Sequence, residues 1–262
     1  MLRLIIGKAF WDSAKKLKQF LRFSFHSVFN SYYDSIDYVV NDEKKIVYIV
    51  NSKCGCSTFK RTLALNDEFD GENINYQEIH KRTKEKGLIT KVLSEEQRKY
   101  FRFTFVRNPY KRIVSLYINK FLDNDKINDG LGFEYSSYLG GYINREISFE
   151  QFVKLIVVIP NNLAERHFMK QSDLVYNQSE KIDYIGKLED YSNDIIDLES
   201  KLGFKMSNGN ESRKENQSKT YNYMDYYTKE TFELLHEFYK KDVEKFEYLE
   251  EEKELKTHLG IK

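Results

Sequence analysis

An apolar, β-branched run, Ile46-Val47-Tyr48-Ile49-Val50, leads into a helix-like segment, Phe59-Lys60-Arg61-Thr62-Leu63-Ala64-Leu65. Between them stands Asn51-Ser52-Lys53-Cys54-Gly55-Cys56-Ser57-Thr58. This junction constrains the fold more than any other stretch. A strand that is apolar on both faces belongs inside a sheet covered on both sides, the position of a central strand in a parallel sheet. A lysine, a glycine and two hydroxyls between such a strand and a helix make a phosphate cradle. The helix start offers backbone N–H groups without intrahelical partners and the positive end of a dipole. Lys53 adds a mobile cation. The nucleotide P-loop reads G-x-x-x-x-G-K-[ST], with lysine near its end. Here lysine comes first, which points away from ATP and GTP hydrolysis.

The rest of the chain sets bounds on the partners. A formal net charge of +1 over 262 residues gives no global field for nucleic acid or membrane, so anion binding must come from local clusters. The only cysteines, Cys54 and Cys56, are poorly spaced to bridge each other and too few for a zinc site. A reducing compartment follows as the expectation. No apolar run reaches the roughly 20 residues that cross a bilayer. Residues 8–25 are amphipathic: Phe10, Ala14, Leu17 and Leu21 share a helical face, with Lys15, Lys16, Lys18 and Arg22 mostly elsewhere. Two readings stay open for this extension over residues 1–30, a helix docked on the body and a helix lying on a membrane surface.

Further along, Tyr38-Val39-Val40 and residues 46–50 flank a polar turn and read as a hairpin. Residues 94–99 read as a short helix. Phe101-Arg102-Phe103-Thr104-Phe105-Val106 is a clear strand, and Asn108-Pro109 opens a helix with a favourable N-cap and first-turn proline. Residues 123–141 are loop-like, with four glycines. Helices are expected at 148–158, 161–170, 190–202 and 228–248, and strand-like pieces at 173–176 and 182–186. Gly203 is placed to end the third of these helices. Residues 205–220 are polar and apolar-poor. Residues 250–262 read as a charged, frayed tail.

Arg107 through Tyr117 repeats the strand, turn, helix arrangement of the first motif. Arg107 stands at a strand end, where ligands of α/β folds collect, and its guanidinium can grip a phosphate bidentately. Ser115, about two turns into the helix, adds a hydroxyl if that helix crosses the strand end. Two separate anion cradles on one sheet suggest a ligand with two separated phosphate groups.

Together these segments resemble the carbohydrate sulfotransferases that use 3′-phosphoadenosine 5′-phosphosulfate (PAPS), in the branch that holds the chondroitin 4-O and bacterial glycan enzymes. The first family motif resembles P-K-x-[GA]-C-[ST]-x-[FW]-K, matched by Ser52 through Lys60 with Ser52 in place of proline. The second resembles F-x-F-V-R-[DN]-P-[FY]-x-R-[LI]-x-S-x-[YF], matched by Phe103 through Tyr117. Weaker echoes are His167-Phe168-Met169-Lys170-Gln171, Asp183 through Glu189, and Tyr239 through Asp242 with Phe246 and Tyr248. The resemblance spans residues 45–248, with no counterpart for residues 1–30 or 123–147.

The resemblance implies a P-loop NTPase-like sulfotransferase fold over residues 31–249, with a central, mainly parallel sheet flanked by helices. It implies that Lys53 and the N–H groups of Gly55, Cys56, Ser57 and Thr58 hold the 5′-phosphosulfate, with the Ser57 and Thr58 hydroxyls assisting. Arg107 and Ser115 would hold the 3′-phosphate, with Ser218 and Lys219 closing over it. Sulfuryl transfer should work as phosphoryl transfer does, by positioning and charge stabilisation, with Lys53 neutralising the leaving oxygen. PAPS would be the donor and its 3′,5′-bisphosphate (PAP) the product, with no metal required. A base must take the acceptor proton, and His80 and His167 are the candidates. His167 and Gln171 are expected at the acceptor, a carbohydrate hydroxyl in a pocket built by segments 66–92, 123–147 and 161–171. No nucleic acid partner is expected. The setting implied is a bacterial-style cytoplasmic enzyme, with the inner membrane face as a place of contact. Two rivals remain at this stage: a nucleotide or sugar kinase with a variant phosphate loop, and a catalytically inactive nucleotide-binding protein.

Overall fold

Strands β1 (Tyr38–Asn41) and β2 (Ile46–Ile49) form the expected hairpin, in register Tyr38 to Ile49. Its turn is closed by the Lys44 N–H donating to Asn41 Oδ1 at 2.9 Å, and Lys45 takes a positive φ of 55°. Strand β3 (Ile89–Thr90) pairs antiparallel with β1. Strand β4 (Phe101–Val106) runs parallel to β2, and β5 (Tyr184–Lys187) runs parallel to β4. The order is β3-β1-β2-β4-β5. The sheet is mixed: β3, β2, β4 and β5 run one way, and β1, antiparallel to both its neighbours, runs against them. A tight turn can return a chain only antiparallel, so the β1–β2 hairpin is what sets β1 against the rest.

The computed structural model describes residues 2–29, 34, 36–65, 76–122, 143, 145–176, 181–206 and 221–261, and the backbone alone at 2–12, 15, 64–65, 76–78 and 80. Helices among them are α1 (Leu2–Val28), α2 (Cys56–Leu65), α3 (Tyr76–Glu85), α4 (Pro109–Tyr117), α5 (Phe149–Val157), α6 (Gln171–Tyr176), α7 (Tyr191–Leu202), α8 (Lys229–Lys245) and α9 (Leu249–His258). A π-helical stretch, Ile118–Leu122, continues α4.

Side chains alternate across the strands, as the two-residue period requires. Val39, Ile46, Tyr48, Phe103 and Phe105 join Phe59 and Leu63 of α2 and Leu198 of α7 on one face. Tyr38, Val40, Val47, Ile49 and Val106 join α4, α5 and α8 on the other, through Ile113, Phe152 and Tyr239 among others. On the first face Phe59 packs on Phe105 with ring centroids 4.5 Å apart. A Cβ at Gly186 would lie 2.5 Å from the Phe105 ring, so glycine on β5 is what lets that ring settle. Each such buried aromatic contributes roughly 2–3 kcal/mol.

Three local expectations are corrected. Residues 161–170 are not a helix: after a short 3-10 turn at Asn161–Leu163 the chain runs irregularly to Lys170. Residues 173–176 lie in α6, not a strand. Buried Asp242 accepts the N–H groups of Gln171 and Ser172, both at 2.8 Å, and so caps that helix from afar. The tail is ordered as α9. Its Leu255 is buried, and its buried Glu252 accepts from Tyr110 Oη at 2.7 Å.

Helix α1 is docked on the body by one side only. Phe23 packs against the core, while Leu17 and Leu21 of the expected apolar face stand exposed; the side chain of Phe10 lies outside the described residues.

Candidate functional site

The loop after β2 turns by two residues in the left-handed region, Lys53 at φ 68° and Gly55 at φ 78°. At Gly55 glycine is natural, because a Cβ there would also press on Leu188 at 3.3 Å. At Lys53 the same conformation is uncommon for an L-residue. The Gly55 carbonyl starts α2 by accepting from Thr58 at 3.0 Å and Phe59 at 3.3 Å. The Thr58 N–H is thus engaged, which removes it from the set of donors expected for a ligand. Cys56 and Ser57 keep first-turn N–H groups with no intrahelical acceptor, and Gly55 has no side chain to cap them.

The unit after β4 is built differently. Asn108 accepts from the N–H groups of Tyr110 at 2.9 Å and Lys111 at 3.1 Å, and Pro109 fills the first helical position. The N-terminus of α4 is closed by its own cap, so it is not a second backbone cradle. What this unit offers is a side chain: Arg107 Nη1 reaches the Lys53 carbonyl at 3.4 Å, which brings both motifs to one end of the sheet. Ser115 sits half-buried on α4.

A third segment completes the place. His167 Nδ1 lies 2.5 Å from Glu165 Oε1, and the His167 backbone N–H donates to Glu165 Oε2 at 3.0 Å. Because a carboxylate only accepts, Nδ1 carries the proton and Nε2 keeps the lone pair. Burial pushes the imidazole below its ordinary value, Glu165 opposes, and Lys120 and Lys53 act with burial. Burial works to raise the Glu165 carboxyl, and the His167 ring and backbone N–H more than offset it. The arrangement is a neutral imidazole oriented by a carboxylate, within electrostatic reach of Lys53.

Gln171 has another task than the one expected. It is fully buried, and its Oε1 accepts from Arg107 N at 2.9 Å, Asn51 Nδ2 at 3.1 Å and the Cys54 thiol at 3.2 Å. Its Nε2 donates to the Arg107 carbonyl at 2.7 Å. A carboxamide so engaged fastens the two loops together and does not face an acceptor. The Cys54 thiol, pushed up to about 12 by burial, is inert. Glu189 is likewise structural, accepting from Asn108 N and Tyr248 Oη, each at 3.0 Å.

His80 lies on α3, and its side chain is outside the described residues, as are Ser218 and Lys219 altogether. The acceptor-pocket segments 66–75 and 123–142 are outside them too.

Two arginines that hold the site were given no role by the sequence. Arg112, 1% exposed, donates to the carbonyls of Ser52 at 3.0 Å, Met169 at 2.8 Å and Arg166 at 2.9 Å. It ties the phosphate-type loop to the His167 segment. Arg166 in turn pairs with Asp34 at 2.7 Å and with Asp37. Arg112 stands inside the second motif, so its position was visible and its partners were not. Among the described residues, no three His, Cys, Asp or Glu side chains gather as a metal site would.

The chain matches the sulfotransferase family over residues 36–249. It is 26% identical to carbohydrate sulfotransferase 14 of Danio rerio over 175 residues, covering 63% of this chain and 48% of that protein. It is 26% identical to carbohydrate sulfotransferase 11 of Mus musculus over 194 residues, covering 63% of this chain and 53% of that protein. The chain spans about half the length of the curated relatives it matches. No solved structure gives a significant match.

Proposed function

Because this chain belongs to the sulfotransferase family, we propose that it moves a sulfuryl group from PAPS to a hydroxyl of a carbohydrate. The observation that carries the reading is one convergence at the end of β2 and β4. An uncapped α2 start, Lys53 and the Arg107 guanidinium meet there, and Arg112 ties the segment of the Glu165–His167 pair to the same loop through the Ser52 and Arg166 carbonyls. The β2–loop–α2 unit is a P-loop-like cradle with its lysine moved to the front. Its chemistry suits a phosphosulfate: N–H donors, a cation and the Ser57 and Thr58 hydroxyls, in a loop with no carboxylate between Asn51 and Thr58.

Bound PAPS supplies the sulfuryl group and departs as PAP. The chain's residues do the rest. The N–H groups of Gly55, Cys56 and Ser57 bind the 5′ side. Lys53 neutralises charge on the bridging oxygen as the sulfur–oxygen bond breaks, a contribution of about 1.5–3 kcal/mol for one charge-assisted contact. Arg107 and Ser115 bind the 3′-phosphate. His167 Nε2 takes the proton of the acceptor hydroxyl as its oxygen bonds to sulfur, and Glu165 holds the ring in that tautomer. Of the two candidate bases, His167 is the one whose side chain is described, and its pairing with Glu165 supports giving it this role.

Calorimetric titration with PAP, with ADP and ATP as controls, tests the reading. Tight binding of PAP that does not depend on magnesium is expected. Preference for ATP with magnesium, or no binding of any of the three, would overturn it.

A further inference from the structure

Of the twelve large apolar side chains exposed among the described residues, six lie between positions 17 and 29: Leu17, Phe20, Leu21, Phe25, Val28 and Phe29. At helical spacing Leu17, Leu21 and Val28 form one stripe, with Phe20 and Phe25 on its flanks. The other side of α1 meets the body. Phe23 packs on the core, and the His26 carbonyl accepts from Asn162 Nδ2 at 3.5 Å. The helix is thus fixed by one face and turns an apolar stripe outward, which marks an interaction surface.

Charge identifies the occupant. Six basic residues of Leu2–Val28, Arg3, Lys8, Lys15, Lys16, Lys18 and Arg22, stand against Asp12 alone, a formal +5. The whole chain carries +1, so the remainder carries −4. A second copy of α1 laid on the first would set +5 against +5. Among the described residues no helix is long and apolar enough to cross a membrane. We propose that α1 lies flat on an anionic lipid bilayer, its stripe sunk among the acyl chains and its lysines and arginines at the headgroups. Apolar burial and attraction to anionic lipid add in such a helix, and neither alone holds it firmly. The inference stands apart from sulfuryl transfer. It adds a geometric link, since α1 packs beside Asn161–Leu163, just before Glu165 and His167.

The full chain is mixed with vesicles of phosphatidylcholine alone and of equimolar phosphatidylcholine and phosphatidylglycerol. Binding is read by co-sedimentation and by fluorescence of Trp11, the only tryptophan. The expected result is binding to the anionic vesicles, with a blue-shifted Trp11 emission and weakening at high salt. Leu21→Asp, and separately Lys18→Glu with Arg22→Glu, should each lower vesicle affinity about tenfold or more. PAP affinity should not change in either variant, which separates this test from that of the donor site. Equal binding to both vesicle types, or binding to neither, would overturn the proposal. So would dimerisation of the free chain that Leu21→Asp abolishes, since the stripe would then serve self-association.

Discussion

The two strand–turn–helix units diverge at a single residue position. After β2, Gly55 begins α2 and leaves its first turn to be met from outside; after β4, Asn108 begins α4 and meets that turn itself. One helix start is left open, and the other is closed by its own side chain. A side chain that caps a helix contributes about 1 kcal/mol to stability, and it does so by occupying the donors an anion would use. The second unit contributes to the site through Arg107 and Arg112 instead, long side chains that reach back to the first.

The largest expected effect lies at the open unit. Lys53→Ala should slow sulfuryl transfer by about 10²–10³-fold, the usual loss when one preorganised charge-stabilising group is removed. The melting temperature should hardly move. Radiolabelled transfer to an acceptor, alongside a thermal melt, would decide it. Retained turnover would mean that the first unit is not where charge develops.

Next comes the tie between the units. Arg112→Lys replaces a fork that reaches three carbonyls, two of them buried, by a single nitrogen, and each buried carbonyl left without a donor costs about 1–3 kcal/mol. Denaturant unfolding should show a loss of about 3 kcal/mol, together with weaker PAP binding because Ser52 is released. A loss of stability with unchanged PAP affinity would break the link drawn here between core and cradle.

A smaller effect, on rate and pH, is expected at the third segment. Under the proposed function His167 is a neutral base, and its folded pKa lies below the ordinary 6.5. Activity should therefore be flat above that value and fall as pH drops through the depressed pKa. The sign for stability agrees: the unfolded chain binds the extra proton first, so stability is lost as pH falls below the unfolded value. Glu165 is the group that raises this pKa against burial, Lys120 and Lys53. Glu165→Gln should move the acid limb to lower pH and reduce kcat about tenfold. A purely structural role for Glu165 predicts no displacement of that limb.

The smallest effect is the mirror of the first. Asn108→Ala should destabilise the fold by about 1 kcal/mol through the lost cap and leave PAP affinity within a factor of a few. A large loss of PAP affinity without destabilisation would show that the α4 start binds ligand after all.

What could be read from sequence was what short-range chemistry writes. The β1–β2 hairpin, the β4 strand and the Asn108-Pro109 helix start each depend on neighbours within a few residues, and all three are present. Gly203 closing α7 at φ 75° belongs with them. The misreadings share a different cause. Residues 173–176 look strand-like until Asp242, 71 positions from Gln171, caps them into a helix. Residues 161–170 have helical composition, yet Arg112 takes the Arg166 carbonyl that such a helix would have used. The acid-rich tail looks unsupported until Glu252 meets Tyr110, 142 positions away. In the site, Lys53, Arg107 and His167 were visible as residue types in motifs. Glu165 as an orienting group and Gln171 as a fastener were not, because their meaning lies in distances between loops.

Gln171 has a consequence for motion. One carboxamide joins Asn51, Cys54 and both backbone groups of Arg107, while the backbone N–H of Gln171 is held by Asp242. No one of these loops can peel away without breaking bonds in the others, so the floor of the site has no cheap partial opening of its own. Amide exchange at Cys54 and Arg107 should then run with the global unfolding of the sheet. Under the proposed function, adjustment to an acceptor falls to segments other than this one.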